Sequence, residues 1–376
     1  MHAAVFYGPN NISYKEDYNN PTDNKSDTSS GVVLKVNACS VCAYDVRVFR
    51  NGHTKVTPPI ILGHEICGET IEDIMRIGTT SKIETKIRSG TRVVITPTIP
   101  CLNCFYCSAK QFNLCNNLKE IGSSVNGGFA ECLNIPKQIL EIGGIIPVPD
   151  CLTNEEAALI EPLSCCLNGF SHIGHPLENE SVVILGDGPI GLIHLQLSKN
   201  LYQARTAIVG KVPKRLQKAS SMGADTTIRI NDENKGHDNI DHLNCRQDPN
   251  SKSIAQVLQF TGGKGADIIV IDTSDAKALD FALKVASKNS RINIFSGIAN
   301  ANGLSIDPNW LHYNQILITG SFSSTPKTLQ EAIRLTCSGQ VDLSKLIGAH
   351  YSLADIEQAF LATEKCVELR AVINKF

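Results

Sequence analysis

One thiol, one imidazole and one carboxylate, Cys42, His64 and Glu65, come from two separate segments, and four further thiols follow at Cys101, Cys104, Cys107 and Cys115. The later set reads C-x2-C-x2-C-x7-C. Four thiolates and no histidine suit a closed tetrahedral zinc site, which braces a lobe and leaves no position for substrate. The x7 gap departs from the x3 spacing and following proline of ferredoxin-type iron–sulfur runs. The mixed, discontinuous set suits an open metal site, where water or substrate takes the remaining position. A third element, Gly186-Asp187-Gly188-Pro189-Ile190-Gly191, has the G-x-G-x-x-G spacing of a dinucleotide-binding turn. Zinc together with a dinucleotide implies hydride transfer at a metal-polarised alcohol or carbonyl.

The elements around the glycines give that spacing its meaning. Ser181 to Leu185 is a compact apolar strand that runs straight into Gly186, and Ile190, Ile193, Leu197 and Leu201 then share one helical face. Gly186 permits the tight turn, Gly188 lets a pyrophosphate approach the backbone, and Gly191 lets helix and strand pack closely. Pro189 and Ile190 open the helix, whose N-terminal amides face the phosphates. Further apolar strands are expected at 206–209, 268–271, 292–295 and 316–318, with helices such as 278–287 between them. Alternating strands and helices of this kind form a parallel, doubly wound sheet of the Rossmann type.

Upstream the chain reads as β-rich, with strands at 32–36, 66–71 and 92–96. A helix is expected from Asn154, taken as its N-cap, toward Ile173, and another at 329–337 before a last strand at 369–373. Tyr18 to Ser30 and Asn231 to Ser253 are polar and read as solvated segments. His237, Asp241, His242 and Cys245 fall in the second of these, without a rigid scaffold for a metal. The expected division is 1–161, 162–322 and 323–376, the last part returning to the first.

At 376 residues the chain can bury two cores. With 42% hydrophobic and 19% charged residues it has an ordinary globular composition. A net charge of -2 gives no electrostatic reason to expect nucleic acid or an anionic membrane as partner. No apolar run reaches membrane-spanning length, and the first residues lack the pattern of a signal peptide. Fourteen cysteines in a chain of this size, with metal-like spacing, read as reduced thiols in a cytoplasmic protein. Those outside the two sets, Cys39, Cys67, Cys132, Cys165 and Cys166 among them, read as small buried apolar groups.

In NAD-binding turns an acidic residue usually ends the second strand and takes the ribose hydroxyls. Here Gly210 holds that place, followed by Lys211, Lys214 and Arg215. The missing carboxylate removes repulsion against a 2′-phosphate and the cations attract it, so the turn favours NADP(H) over NAD(H). The alternative is a solvated basic turn with no such role.

Val41-Cys42-Ala43-Tyr44-Asp45, Gly63-His64-Glu65, the four-cysteine lobe and the glycine turn follow one another in the order found in the zinc-containing medium-chain dehydrogenase/reductase family, which the chain closely resembles over nearly its whole length. Ala158-Leu159-Ile160-Glu161-Pro162-Leu163-Ser164 resembles the sorbitol (polyol) dehydrogenase branch. The resemblance implies a GroES-like β-rich catalytic domain with a Rossmann domain inserted into it, an active site in the cleft between them, and two zinc ions per subunit. It implies that Cys42, His64 and Glu65 ligate the catalytic zinc, that Glu161 ligates it or holds its water, and that Asp45 orients His64. Arg370, in the terminal strand, joins the cofactor-contacting residues. Two positions depart from the family pattern. Tyr44 stands where a Ser or Thr usually passes the alcohol proton, and Arg47 where some members have a histidine.

The implied activity is hydride exchange between a nicotinamide cofactor and a secondary alcohol or polyol, by a homodimer or homotetramer. Threonine-type hydroxy amino acids and aldehyde reduction are alternatives within that chemistry. A non-catalytic nucleotide-binding relative is the alternative outside it, disfavoured because quinone-reductase-like relatives typically lack the zinc ligands.

Overall fold

The computed structural model describes residues 1–19, 31–76, 85–230, 251–298, 306–367 and 369–376. The polar stretch 231–250, with His237, Asp241, His242 and Cys245, and most of the 18–30 loop lie outside the described residues. The chain forms two compact units, Met1–Leu167 with Ser323–Phe376, and Asn168–Phe322. The division falls inside the helix Ile160–Ile173. No helix among the described residues is long and apolar enough to cross a membrane.

The first unit is built on a mixed sheet whose order is Ile145–Pro147, Arg92–Ile95, Glu65–Thr70, Val32–Ser40, Arg370–Lys375 and Ile347–Ser352. Cys132–Ile135 also pairs with Val32–Ser40. The neighbours are antiparallel, except the parallel pair Ile347–Ser352 and Arg370–Lys375. The terminal strand therefore lies directly beside Val32–Ser40, with Val372 opposite Ser40.

The helix Ala43–Asn51 leaves that sheet at Val41. Its buried face carries Val46, Val48 and Phe49, and Phe49 meets Phe360 edge-on with ring centroids 5.4 Å apart. Phe129 also meets Phe360 edge-on, with ring centroids 5.6 Å apart. This apolar knot locks the helix in place, so its first turn is a fixed platform for Cys42 and Asp45. Helix 154–158 starts one residue earlier than its asparagine suggests. Thr153 accepts from Glu156 N at 3.2 Å, and Glu156 accepts from Thr153 N at 2.9 Å, a reciprocal cap that leaves Asn154 inside the helix.

Cys151 and Cys337 form a disulfide with Cα atoms 6.0 Å apart, across 186 residues. It ties the loop after Ile145–Pro147 to the end of the helix Pro326–Cys337. This departs from the expectation of uniformly reduced thiols. Both residues lie on the surface, where packing of distant segments brings them together. The other described cysteines are free.

In the second unit six described strands form an all-parallel sheet in the order Thr226–Arg229, Arg205–Gly210, Ser181–Leu185, Ala266–Ile271, Ala286–Ile294 and Leu317–Gly320. Numbered within the unit, that order is 3-2-1-4-5-6, the doubly wound arrangement that binds dinucleotides where the winding reverses. Val182 to Ile184, Ala207, Ile208, and Ile268 to Ile271 are buried, as strands covered on both faces require.

Candidate active site

Cys42 caps the helix Ala43–Asn51, and Asp45 sits one turn in with its side chain fully buried. Asp45 Oδ2 accepts from the Cys42 backbone N–H at 2.9 Å. Its Oδ1 faces His64 Nδ1 at 3.4 Å. That contact leaves His64 Nε2 as the free ring nitrogen, the arrangement that orients a histidine toward a metal. Gly63 makes the approach possible. Its φ is +95°, and a Cβ there would lie 2.8 Å from Cys39 Sγ and 3.0 Å from the Phe129 ring. Glycine thus turns the chain into the Glu65–Thr70 strand with His64 at its mouth.

The ligand atoms of Cys42, His64 and Glu65 all lie within 4.8 Å of one another. Glu65 is buried, and its Oε1 pairs with Arg370 Nη1 at 3.0 Å. Its Oε2 has no hydrogen-bond partner. Arg370, itself buried, also donates to Val41 O at 3.1 Å. Burial pushes His64 down, but Asp45 and Cys42 outweigh it and hold the imidazole well above its ordinary value. The group of anionic donors thus favours a positive charge at this place, and a divalent cation among a thiolate, an imidazole and an orphaned carboxylate oxygen fits it.

Glu161 is buried nearby in the helix Ile160–Ile173 but is not part of the tight ligand set. Burial, with Glu65 adding to it, pushes its carboxyl up to about 7, against the opposing pull of His64, Cys165 and Arg370. One turn on, Cys165 donates its thiol to Glu161 Oε1 at 3.1 Å. Cys165 read as a plain core cysteine in the sequence. Its i,i+4 spacing from Glu161 was the available signal.

Tyr44 is half-buried, its ring edge-on to His64 at 5.8 Å and to His53 at 5.5 Å between centroids. Burial raises the phenol above its ordinary value and Glu120 adds to the rise, while His64 and, less, Ser123 oppose it. Nothing in the local sequence around His53 or Ser123 marks either as a neighbour of Tyr44. Arg47 is exposed on the same helix, one turn after Tyr44.

In the four-cysteine lobe, Sγ atoms of Cys104 and Cys107 are 3.5 Å apart, those of Cys104 and Cys115 3.9 Å, and those of Cys101 and Cys107 4.0 Å. Four sulfurs about 2.3 Å from a tetrahedral zinc stand roughly 3.8 Å from one another, so the cage fits that ion. Backbone N–H groups of Asn116 and Cys107 hold Cys104 down to about 6, whereas burial pushes Cys107 up to about 12. A bound cation is what lets all four coexist as thiolates.

The glycine turn lies in the second unit. Gly186 has φ +136°, and a Cβ there would lie 2.8 Å from Asp272 O. A Cβ on Gly191 would lie 2.0 Å from Gly186 O, so only glycine allows this helix–strand approach. In front of Gly188, N-cap of Pro189–Gln196, the nearest atom is Arg215 Nη1, 4.0 Å from the Cβ position. That open space before a helix N-terminus fits a diphosphate. Lys211 Nζ lies 3.3 Å from Asp275 Oδ2. Asp187 Oδ2 accepts from Val212 N at 2.6 Å, a contact whose significance the sequence did not disclose.

A metal-ligand set in a β-rich unit, a thiolate cage and a doubly wound nucleotide fold together define a zinc-type dehydrogenase. The alcohol dehydrogenase GroES-like domain matches residues 28–150, and the zinc-binding dehydrogenase domain matches residues 189–338. The chain belongs to the zinc-containing medium-chain alcohol dehydrogenase family. It is 27% identical over 351 residues to D-arabitol-phosphate dehydrogenase of Enterococcus avium, covering 92% of this chain and 90% of that protein. It is 26% identical over 352 residues to sorbitol dehydrogenase of Bacillus subtilis, with the same coverage of 92% and 90%. An alcohol dehydrogenase structure from Thermotoga maritima shares the fold, with a TM-score of 0.83 at 21% identity over 100% of this chain and 99% of that one.

Proposed function

We propose that this protein is a zinc-dependent dehydrogenase that exchanges hydride between a nicotinamide dinucleotide and a secondary alcohol of the polyol class. The observation that carries the reading is the convergence of Cys42, His64 and Glu65, with ligand atoms within 4.8 Å, in a chain that also carries the glycine turn. The polyol assignment draws on Glu161 and on the sorbitol- and arabitol-phosphate-acting relatives.

Zinc, when bound, supplies Lewis acidity at the substrate oxygen, and the nicotinamide supplies the hydride acceptor. The chain's own residues do the rest. Cys42, His64 and Glu65 hold the metal, with Glu161 as a further ligand or as the holder of its water. Asp45 fixes the ring orientation of His64. Arg370 balances the buried charge of Glu65. Tyr44 offers a phenol where a proton must leave the alcohol. Cys101, Cys104, Cys107 and Cys115 hold a second, structural zinc. Gly186, Gly188, Pro189, Ile190 and Gly191 receive the diphosphate, and Arg215 stands at the same turn. The assembly is a homodimer or homotetramer. The Cys151–Cys337 disulfide removes the reduced-thiol argument for a cytoplasmic location, which rests on the family resemblance alone.

The test is a panel of polyols, simple alcohols, threonine and aldehydes, assayed with both cofactors. Oxidation of polyols or secondary alcohols above the others is the expected result. Turnover of none, in zinc-loaded protein, contradicts the reading.

A further inference from the structure

The carboxylate missing from the end of the Arg205–Gly210 strand is present in space. Gly186 N donates to Val209 O at 2.8 Å, which sets the glycine turn beside the end of that strand. From this turn Asp187 reaches across. Its Oδ2 takes the Val212 N–H at 2.6 Å, at the N-cap of the helix Pro213–Ser221. A Cβ built on Gly210 would lie 2.4 Å from Asp187 Cβ, Cγ and Oδ2 alike. The side-chain space of position 210 is therefore filled by the carboxylate of Asp187. Among the described residues Asp187 has no other hydrogen-bond or ion-pair partner, so one oxygen is pinned and the other is left to accept.

Two cations of the turn, Lys211 and Arg215, are directed away from the space at Gly210. Lys211 reaches Asp275 rather than the space at Gly210. Arg215 stands over Gly188, on the diphosphate side of the turn.

We propose that Asp187 is the residue that selects the cofactor, accepting a ribose hydroxyl of NAD(H) and repelling the 2′-phosphate of NADP(H). The usual strand-end acid has been moved to the neighbouring turn, and glycine at 210 is what makes room for it. This reverses the preference suggested by the basic turn in the sequence, and it rests on the reading of the chain as a nicotinamide-dependent dehydrogenase. An aspartate placed at 210 alone would collide with Asp187, so it is no test of specificity.

The test is direct binding. The full chain is titrated with NADH and with NADPH, following the fluorescence of the reduced nicotinamide, so no turnover is needed. The unmodified protein is expected to bind NADH about tenfold or more tightly than NADPH, the scale of a like-charge clash at an interface. Asp187→Asn keeps an acceptor for Val212 N–H while removing the charge, and should shrink that ratio to about threefold or less. The double variant Asp187→Ala with Gly210→Asp returns a carboxylate to the strand end and should restore the preference for NADH. Tighter binding of NADPH by the unmodified protein, or an unchanged ratio in Asp187→Asn, overturns the proposal. Binding of neither cofactor overturns the dehydrogenase reading itself.

Discussion

One buried carboxylate, Asp45, holds both Cys42 and His64: Oδ2 takes the Cys42 backbone N–H at 2.9 Å and Oδ1 faces His64 Nδ1 at 3.4 Å. Two ligands contributed by different segments are thereby referred to a single group. Asp45→Ala removes the orientation of the ring and the cap of the helix together. It should lower zinc affinity at this site by about 10- to 100-fold, and cost about 1 kcal/mol of stability through the cap. Competition with a chelator, followed by elemental analysis, measures the first. Asp45→Asn should keep most of the stability and still lose affinity. Full zinc retention in both variants would show that Asp45 does not orient His64.

Glu65 and Arg370 are separated by most of the chain, yet their buried side chains pair at 3.0 Å. Arg370→Met should be severe, because it leaves the carboxylate buried without its cation, a loss of about 3–5 kcal/mol for a pair of this kind. Denaturant unfolding of the zinc-loaded protein checks it. If zinc alone neutralises Glu65, the loss will be small and Arg370 is free for other work.

Tyr44 carries a phenol that burial keeps protonated through the neutral range, since its ionisation is pushed above the ordinary value. It enters any relay as a donor and acceptor through its hydroxyl, not as a standing base. Tyr44→Phe should lower turnover by about 10²-fold or more if the hydroxyl passes the proton, with both zinc ions retained. Tyr44→Ser should recover part of that rate. An unchanged rate and pH–rate profile in Tyr44→Phe assigns the ring to shaping the pocket alone.

Cys151 and Cys337 should contribute to stability through the bond between them. Reductant, or Cys337→Ser, should lower unfolding stability by about 2–4 kcal/mol without changing zinc content. Equal denaturation midpoints with and without reductant would show that the bond does not persist in solution.

The chemistry-bearing residues were legible in the sequence because they lie in short local patterns. Gly63-His64-Glu65, the four-cysteine run and the glycine turn each announce a local backbone or ligand requirement. The parallel sheet followed from apolar strands alternating with helices, as at Ser181–Leu185 and Pro189–Gln196. Relations made by folding were not legible. Nothing local to Arg370 predicts Glu65, since only the pairing of the terminal strand with Val32–Ser40 brings that strand into the sheet core. The carboxylate of Asp187 looked like a variable position in a motif, and Gly210 like an empty one. Their complementarity exists only once two strands are adjacent. Thr153 could have been preferred to Asn154 as the cap, because the T-x-x-E pattern with Glu156 was present.

The central claim is that a metal held by Cys42, His64 and Glu65 performs the chemistry. The most direct measurement is the rate of cofactor reduction by a polyol in three states of the same protein: as purified, with metal stripped by a chelator, and with zinc restored. Loss of turnover on stripping and its return with zinc, while Cys42→Ser stays folded and inactive throughout, is the predicted result. Turnover that is indifferent to stripping, or that persists in Cys42→Ser, would contradict the account.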